Sequence, residues 1–325
     1  MLITMDKVLS INDLNIKLHT NCGTIHAVRG INLDIARGEI HGIVGESGCG
    51  KTVSAKAILR LHNDLSTNYS GEIKYDSKSD ILKMTNKELK NLRGKYISLI
   101  FQDPVQSLNP LLKIGGQITE TIRAHSKLNS QETYLKAVSL MEDVGIHPAV
   151  KRFNQFPFEL SGGMLQRVMI ATAISSDPKL LVADEPTTAL DVTMQAKILD
   201  LFKEIRDKTG MSILLITHNF GVVAEICDRV SVMYAGQIVE SGEVKDIFRR
   251  PAHPYTKALI ESIPKAKQTG KRMIAIPGSP PELSCEIKGC AFAPRCEYAE
   301  EKCFDESPRE YEISDNHINL CHLKK

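Results

Sequence analysis

No stretch of this chain approaches the roughly 18 consecutive apolar residues needed to span a bilayer. The N-terminal stretch Met1 to Lys7 carries no signal-peptide pattern either, so any membrane association is expected to run through a partner. A strong charge of one sign is also missing. Lys and Arg number 41 against 39 Asp and Glu, a formal net charge of +2, which leaves no electrostatic footprint for nucleic acid. Internal repeats, long low-complexity segments and long coiled-coil insertions are absent. No tyrosine, phenylalanine or tryptophan occurs before Tyr69. What remains is an ordinary globular composition: 325 residues, 42% apolar, enough for about two domains and a substantial core.

Gly45-Glu-Ser-Gly-Cys-Gly-Lys-Thr52 stands between the apolar run Ile40 to Val44 and a helix-forming stretch that begins near Lys51. Strand, glycine loop and helix start together make a phosphate cradle. Gly45, Gly48 and Gly50 let the backbone turn its N–H groups inward, with Glu46, Ser47 and Cys49 between them. The helix N-terminus adds partial positive charge, Lys51 adds a full one, and Thr52 offers a hydroxyl to Mg²⁺. The bland alternative, a glycine-rich turn matching by accident, is disfavoured by the flanking strand and helix.

Further along, Leu180 to Ala183 reads as a buried parallel strand that delivers Asp184 and Glu185 to one sheet edge. Asp184 is expected in the Mg²⁺ shell, and Glu185 to polarise the water that attacks a γ-phosphate. Between the two motifs lies Leu160-Ser-Gly-Gly-Met-Leu-Gln-Arg167, opening a helix. By itself Ser-Gly-Gly is an ordinary helix N-cap. With its neighbours, the segment resembles the signature motif of ABC transporter ATP-binding subunits.

That resemblance implies an ATPase in which Ser161, Gly162, Gly163 and Gln166 contact ATP held by the glycine loop of a second subunit. Gln102, in Phe101-Gln-Asp-Pro104, is similar to the Q-loop glutamine that contacts Mg²⁺ and relays to the membrane partner. Thr188-Ala-Leu-Asp191 resembles the D-loop, and His218, after the apolar run Ile213 to Thr217, the switch histidine that supports Glu185. The family's adenine-stacking aromatic has no counterpart. Cys22 falls near that position, which leaves the base to His19, His26 or an apolar contact from Val28.

The implied fold class is α/β, a P-loop NTPase (RecA-like) core with an antiparallel β subdomain, a helical subdomain and a small cysteine-rich C-terminal extension. The nucleotide-binding domain is expected over 1–245, with its helical subdomain at about 103–175, and the extension over 246–325. Early strands are read at Ile31 to Ile35 and Glu72 to Tyr75, a helix over Gln131 to Val144, and a hairpin around Ala235-Gly236.

Five of the eight cysteines, Cys285, Cys290, Cys296, Cys303 and Cys321, crowd the C-terminal stretch. A reducing compartment argues against disulfides. Isolated buried thiols, zinc and an iron–sulfur cluster stay open from the residues alone, since the spacings are looser than most zinc sites use. His253-Pro-Tyr-Thr256, Ile276-Pro-Gly278 and Gly289-Cys-Ala-Phe-Ala-Pro-Arg-Cys296 are similar to the C-terminal region of oligopeptide, dipeptide and nickel importer ATPases. This second resemblance implies a structural four-iron four-sulfur cluster on Cys290, Cys296, Cys303 and Cys321, with Cys285 an extra thiol, tying together a tail expected to lack its own core.

The expected function is an ATP-hydrolysing, Mg²⁺-dependent subunit energising a di- or oligopeptide importer, peripheral at the cytoplasmic face of the cell membrane. Its expected partners are a second, distinct ATPase, two permease subunits and a solute-binding protein, with no nucleic acid. The alternatives are an importer of nickel or another metal complex, a soluble ABC ATPase without a permease, and a degenerate partner that binds ATP only for structure. Intact Lys51, Glu185 and His218 argue against the last.

Overall fold

The computed structural model describes residues 6–188, 190–263, 276–314 and 316–323. Met1 to Met5 of the N-terminal stretch and Ala189 of the Thr188–Asp191 motif lie outside them. Along the chain the strands are β1 (Lys7–Thr20), β2 (Gly23–Ala36), β3 (Ile40–Val44), β4 (Thr67–Tyr75), β5 (Ser79–Asp80), β6 (Ile97–Ile100), β7 (Leu180–Asp184), β8 (Ser212–Thr217), β9 (Arg229–Tyr234), β10 (Gln237–Glu243), β11 (Glu310–Ser314) and β12 (His317–Leu320). They divide between two compact units, Met1–Lys83 with Leu215–Lys325, and Met84–Leu214, and β8 runs through the boundary.

In the first unit β1 pairs antiparallel with both β2 and β4, in the order β2-β1-β4-β5. The alternation of β1 breaks at Asp13, whose φ is 45°, and the register shifts there. That slip returns Leu14 and Ile16 to the buried face already occupied by Leu9 and Ile11. Strand β3, buried at every residue, runs parallel to β9 from His41↔Arg229 to Val44↔Val232. The chain then turns back at Ala235 and Gly236, both at positive φ, into antiparallel β10, as the Ala-Gly pair predicts.

The C-terminal stretch corrects one expectation. It does not lack a core, because it enters the first unit's own. Ala291 and Phe292 belong to the same buried cluster as Val44, Val232, Tyr234 and Tyr255. The Phe292 ring meets Tyr234 edge-on at a centroid distance of 5.3 Å and Tyr255 at 5.3 Å. Beyond it β12 pairs antiparallel with β10 through Glu240↔Asn319 and Ser241↔Ile318, and β11 adds to β12. The buried Glu240 carboxylate ties the layers, accepting from Ala252 N at 2.8 Å, His253 N at 3.0 Å and His317 Nε2 at 2.8 Å. Burial pushes His253 down to about 4, so it sits there neutral, its Nδ1 accepting from Tyr255 N.

The second unit carries β6 and β7 in parallel register, Ile97↔Leu180 to Ile100↔Ala183. Its helices Ile114–His125, Ser130–Asp143 and Gly162–Ile174 pack on one another. Ile114, Ile118 and Ile122, four residues apart, form one buried stripe, and Ala137, Val138 and Met141 another. Asn129 and Glu132 close a capping box that starts the second of these helices. Among the described residues no helix is long and apolar enough to cross a membrane.

If Phe292 is a core residue of the first unit, Phe292→Ala should cost about 3–5 kcal/mol of stability. Denaturant unfolding of the full chain measures it, and a loss below about 1 kcal/mol would mean the ring is not load-carrying packing.

Candidate nucleotide site

The glycine loop belongs wholly to the first unit. Gly45 follows β3 so closely that a Cβ there would lie 2.1 Å from the Met233 carbonyl oxygen. Gly50 caps the helix Lys51–Ile58 with φ 107°, and a Cβ on it would lie 2.5 Å from Ala27 O. Glycine at both positions is therefore a steric requirement. The loop is further held by Gly236 N donating to Cys49 O at 2.9 Å. Lys51, 5% exposed, folds its ammonium back over the loop and donates to Gly45 O at 2.7 Å and Glu46 O at 2.9 Å. Burial is the first cause that raises the Cys49 thiol, so at neutral pH the loop's positive charge is not offset by a thiolate. Ser47 and Gly48 face solvent, and Thr52 is half-buried at the helix start.

The second unit groups the acidic residues. Asp184 ends β7 buried, at 4% exposure. Glu185 then adopts φ 47°, a left-handed conformation that costs a non-glycine residue on the order of 1 kcal/mol. Its Oε2 accepts from Thr188 Oγ1 at 2.7 Å and from Gln102 Nε2 at 3.4 Å. The expected Gln102 and Glu185 are thus brought together, and Thr188 is a holding residue that the motif spacing did not single out. Asp103 caps the short helix Pro104–Ser107, which fixes the turn that carries Gln102.

Ser161 is the N-cap of Gly162–Ile174, yet its hydroxyl makes no capping bond and it stands exposed beside Gly162. Gly163 is crowded, since a Cβ would lie 2.8 Å from Met194 Cε. Gln166 is buried, at 2% exposure, whereas Asp191 is exposed and spends its carboxylate capping Val192–Thr209 through Met194 N at 2.9 Å.

In the first unit, His218 follows β8 and is exposed. Cys22 sits exposed at the turn between β1 and β2. His19 Nδ1 lies 2.9 Å from Thr24 Oγ1, and His26 Nε2 lies 3.2 Å from Asn15 Oδ1, so both imidazoles are engaged within the hairpin, and Val28 is fully buried. Among the described residues no group of three or more His, Cys, Asp or Glu side chains is arranged to hold a metal ion. The expected ligand set Cys290, Cys296, Cys303 and Cys321 therefore gains no support as a ready-made ion site. Spacing also missed a contact at the other end of the loop: Arg295 forks onto the Glu46 carboxylate at 2.7 and 3.0 Å.

Comparison with known proteins identifies the family. Residues 28–188 match the family described as ABC transporter, and residues 239–303 the oligopeptide/dipeptide transporter C-terminal region. The oligopeptide transport ATP-binding protein OppD of Bacillus subtilis is 49% identical over 319 residues, 97% of this chain and 88% of its own. The chain belongs to the ABC transporter ATP-binding proteins, in their oligopeptide/dipeptide branch. The dipeptide transport ATP-binding protein DppD of the same organism is 45% identical, over 98% of this chain and 96% of its own. Among solved structures, the ATP-binding cassette MJ0796 with ADP and phosphate superposes with a TM-score of 0.66 at 25% identity, covering 73% of this chain and 98% of that one. The fold is accordingly the ABC ATPase cassette, a P-loop NTPase with mixed α/β sheets, and the activity is ATP hydrolysis. Neither an iron–sulfur cluster nor a pairing of two different ATPases is supported by these likenesses.

In this cassette Lys51→Ala removes the loop's full positive charge, so nucleotide affinity of the purified full chain should fall at least about tenfold. Fluorescent-nucleotide titration measures it, and an unchanged affinity would place the triphosphate elsewhere.

Proposed function

We propose that this chain binds MgATP and hydrolyses it to power import of di- or oligopeptides, the substrates in the names of its OppD and DppD relatives. The observation that carries the catalytic part is Glu185, fixed at the end of β7 by Thr188 and Gln102. The loop from Gly45 to Thr52 takes the phosphates, with Lys51 exchanging its carbonyl partners for phosphate oxygens. Mg²⁺ prefers hard oxygen donors; Thr52 of the first unit and Gln102 and Asp184 of the second would hold it, and when bound it would offset charge on the phosphates. Glu185 accepts a hydrogen bond from the attacking water and draws its proton as the water oxygen bonds to the γ-phosphorus. The bond to the β,γ-bridging oxygen breaks, releasing ADP and phosphate. His218 supports that geometry.

Ser161, Gly162 and Gly163, backed by the buried Gln166, contact the ATP of a second and distinct ATPase, and Asp191 belongs to the crossing loop. We assign the nucleotide-binding domain to 1–245, its helical subdomain to about 103–175, and the importer extension to 246–325. Two permease subunits dock on the helical side, a reading supported by the exposed Leu111, Leu112 and Phe158 and by a groove of ≈ 580 Å³ that Leu111, Leu112 and Phe156 help to line. The chain then works peripherally at the cytoplasmic face, and a solute-binding protein selects the cargo.

The finer reading of the C-terminal cysteines is a structural four-iron four-sulfur cluster. Its support is the donor chemistry: burial, with the nearby Cys321 and Cys303 adding to it, pushes Cys290 up to about 11. Burial also raises Cys321, with Cys296 and Cys303 adding to it. Cys290, Cys296, Cys303 and Cys321 are soft thiol donors, the type that an iron–sulfur cluster takes.

Glu185→Gln should keep ATP binding and lower steady-state hydrolysis of the assembled transporter by about 100-fold or more; wild-type turnover would end the assignment of Glu185. Anaerobically purified chain should hold about four iron and four sulfide, lost in Cys296→Ser while ATP binding persists. Stoichiometric zinc, or no metal after anaerobic reconstitution, would overturn the cluster.

A further inference from the structure

Glu46 is the second residue of the glycine loop, and the protein engages all of its polar groups. Its N–H donates to Tyr255 Oη at 3.0 Å, its carbonyl accepts from Lys51 Nζ at 2.9 Å, and its carboxylate takes the two-pronged bond from Arg295. Two of these three partners, Tyr255 and Arg295, come from the C-terminal region matched over residues 239–303. Arg295 is itself fixed. Its side chain is 5% exposed, its Nε donates to Pro277 O at 2.9 Å, and its Nη1 also reaches Tyr234 Oη at 3.2 Å. A guanidinium held this way presents a rigid fork, which an ammonium cannot copy.

The charge bookkeeping of the loop explains what the fork is for. A triphosphate brings several negative charges onto backbone N–H groups, and a bare carboxylate one residue after Gly45 would repel it. Paired with Arg295, that carboxylate is neutralised and turned toward the C-terminal segment. The Glu46 carbonyl is one of the two that hold the Lys51 ammonium.

We propose that Arg295 is a positioning residue for the nucleotide: by pairing with Glu46 it removes a repelling charge from the phosphate loop and fixes the loop's first turn, so the C-terminal region sets the affinity for ATP. This rests on the assignment of the loop as the ATP site.

The test is MgATP binding by the full chain, with KM and kcat of the assembled transporter. Arg295→Gln should weaken binding about tenfold and raise KM by a like factor, with kcat at saturating ATP falling far less. Arg295→Lys should recover only part of the loss. Adding Glu46→Gln to Arg295→Gln should bring affinity back to within about threefold of wild type, since the unpaired carboxylate is then gone. A merely structural arginine would lower the melting temperature in both the single and the double variant and would leave affinity alone. Unchanged affinity in a folded Arg295→Gln, or no recovery in the double variant, overturns the proposal. Should Arg295→Gln not fold, the folded double variant with tenfold-weakened binding would overturn it, and near-wild-type binding would uphold it. A wild-type chain that fails to bind MgATP would instead remove the ATP-site assignment on which it stands.

Discussion

The loop at residues 45–52 takes its shape from backbone packed against backbone. Met233 O occupies the space of a Cβ on residue 45, and Ala27 O nearly that of a Cβ on residue 50. Gly236 closes the arrangement, donating to Cys49 O at 2.9 Å while its own carbonyl accepts from Arg29 N at 2.7 Å. Three separate strands therefore converge on one glycine loop. Such contacts hold only if β2, β3 and β9 keep their register, and the register is favoured because the fully buried residues of β3 and β9 are apolar or, as with His41 and Ser231, hydrogen-bonded within the core. His41 illustrates the second case. Fully buried in β3, it is bracketed by Glu39 at 2.9 Å and Ser231 at 2.9 Å, so a polar ring sits in the layer without an unsatisfied nitrogen.

Motifs whose chemistry needs adjacent residues were legible in the sequence. Gly45 to Thr52 and Asp184-Glu185 declare themselves as contiguous residue types next to apolar strands that the pattern also marks, and those strands are β3 and β7. Strands β7, β8 and the β9–β10 hairpin fall within a residue or a few of their expected places. Less was legible where long-range packing decides. Strand β1 hides its alternation behind the slip at Asp13, and β11 is largely exposed, so nothing in its composition separates it from a loop. The left-handed turn at Glu185 has no sequence sign at all, since glycine or asparagine is the usual occupant of such a conformation.

The C-terminal region shows what spacing alone overlooks. Cysteines draw the eye to the stretch from Cys290 to Cys303, and the residues between them read as spacers. The structure gives those spacers packing and pairing roles of their own. Phe292 fills an aromatic cluster with Tyr234 and Tyr255, and Arg295, three residues on, reaches the phosphate loop. Both are delivered by a single turn, the 3₁₀ segment Ala293–Arg295, which Pro294 starts by presetting its backbone angle.

That geometry ties the C-terminal region to the glycine loop through Tyr255 and Arg295. A guanidinium with a 5% exposed side chain is tolerable only while its carboxylate partner is in place, because an unpaired buried charge is heavily penalised. Glu46 faces the converse constraint, a carboxylate in a loop whose other charged side chain, Lys51, is turned onto backbone carbonyls. Neither residue has a satisfactory environment without the other. Phe292 supplies the apolar burial that brings them together, and Tyr255, buried in the same cluster, lends its hydroxyl to the Glu46 N–H. The chain thus pairs a charged residue in its glycine loop with side chains supplied more than two hundred positions later, and aromatic packing anchors them.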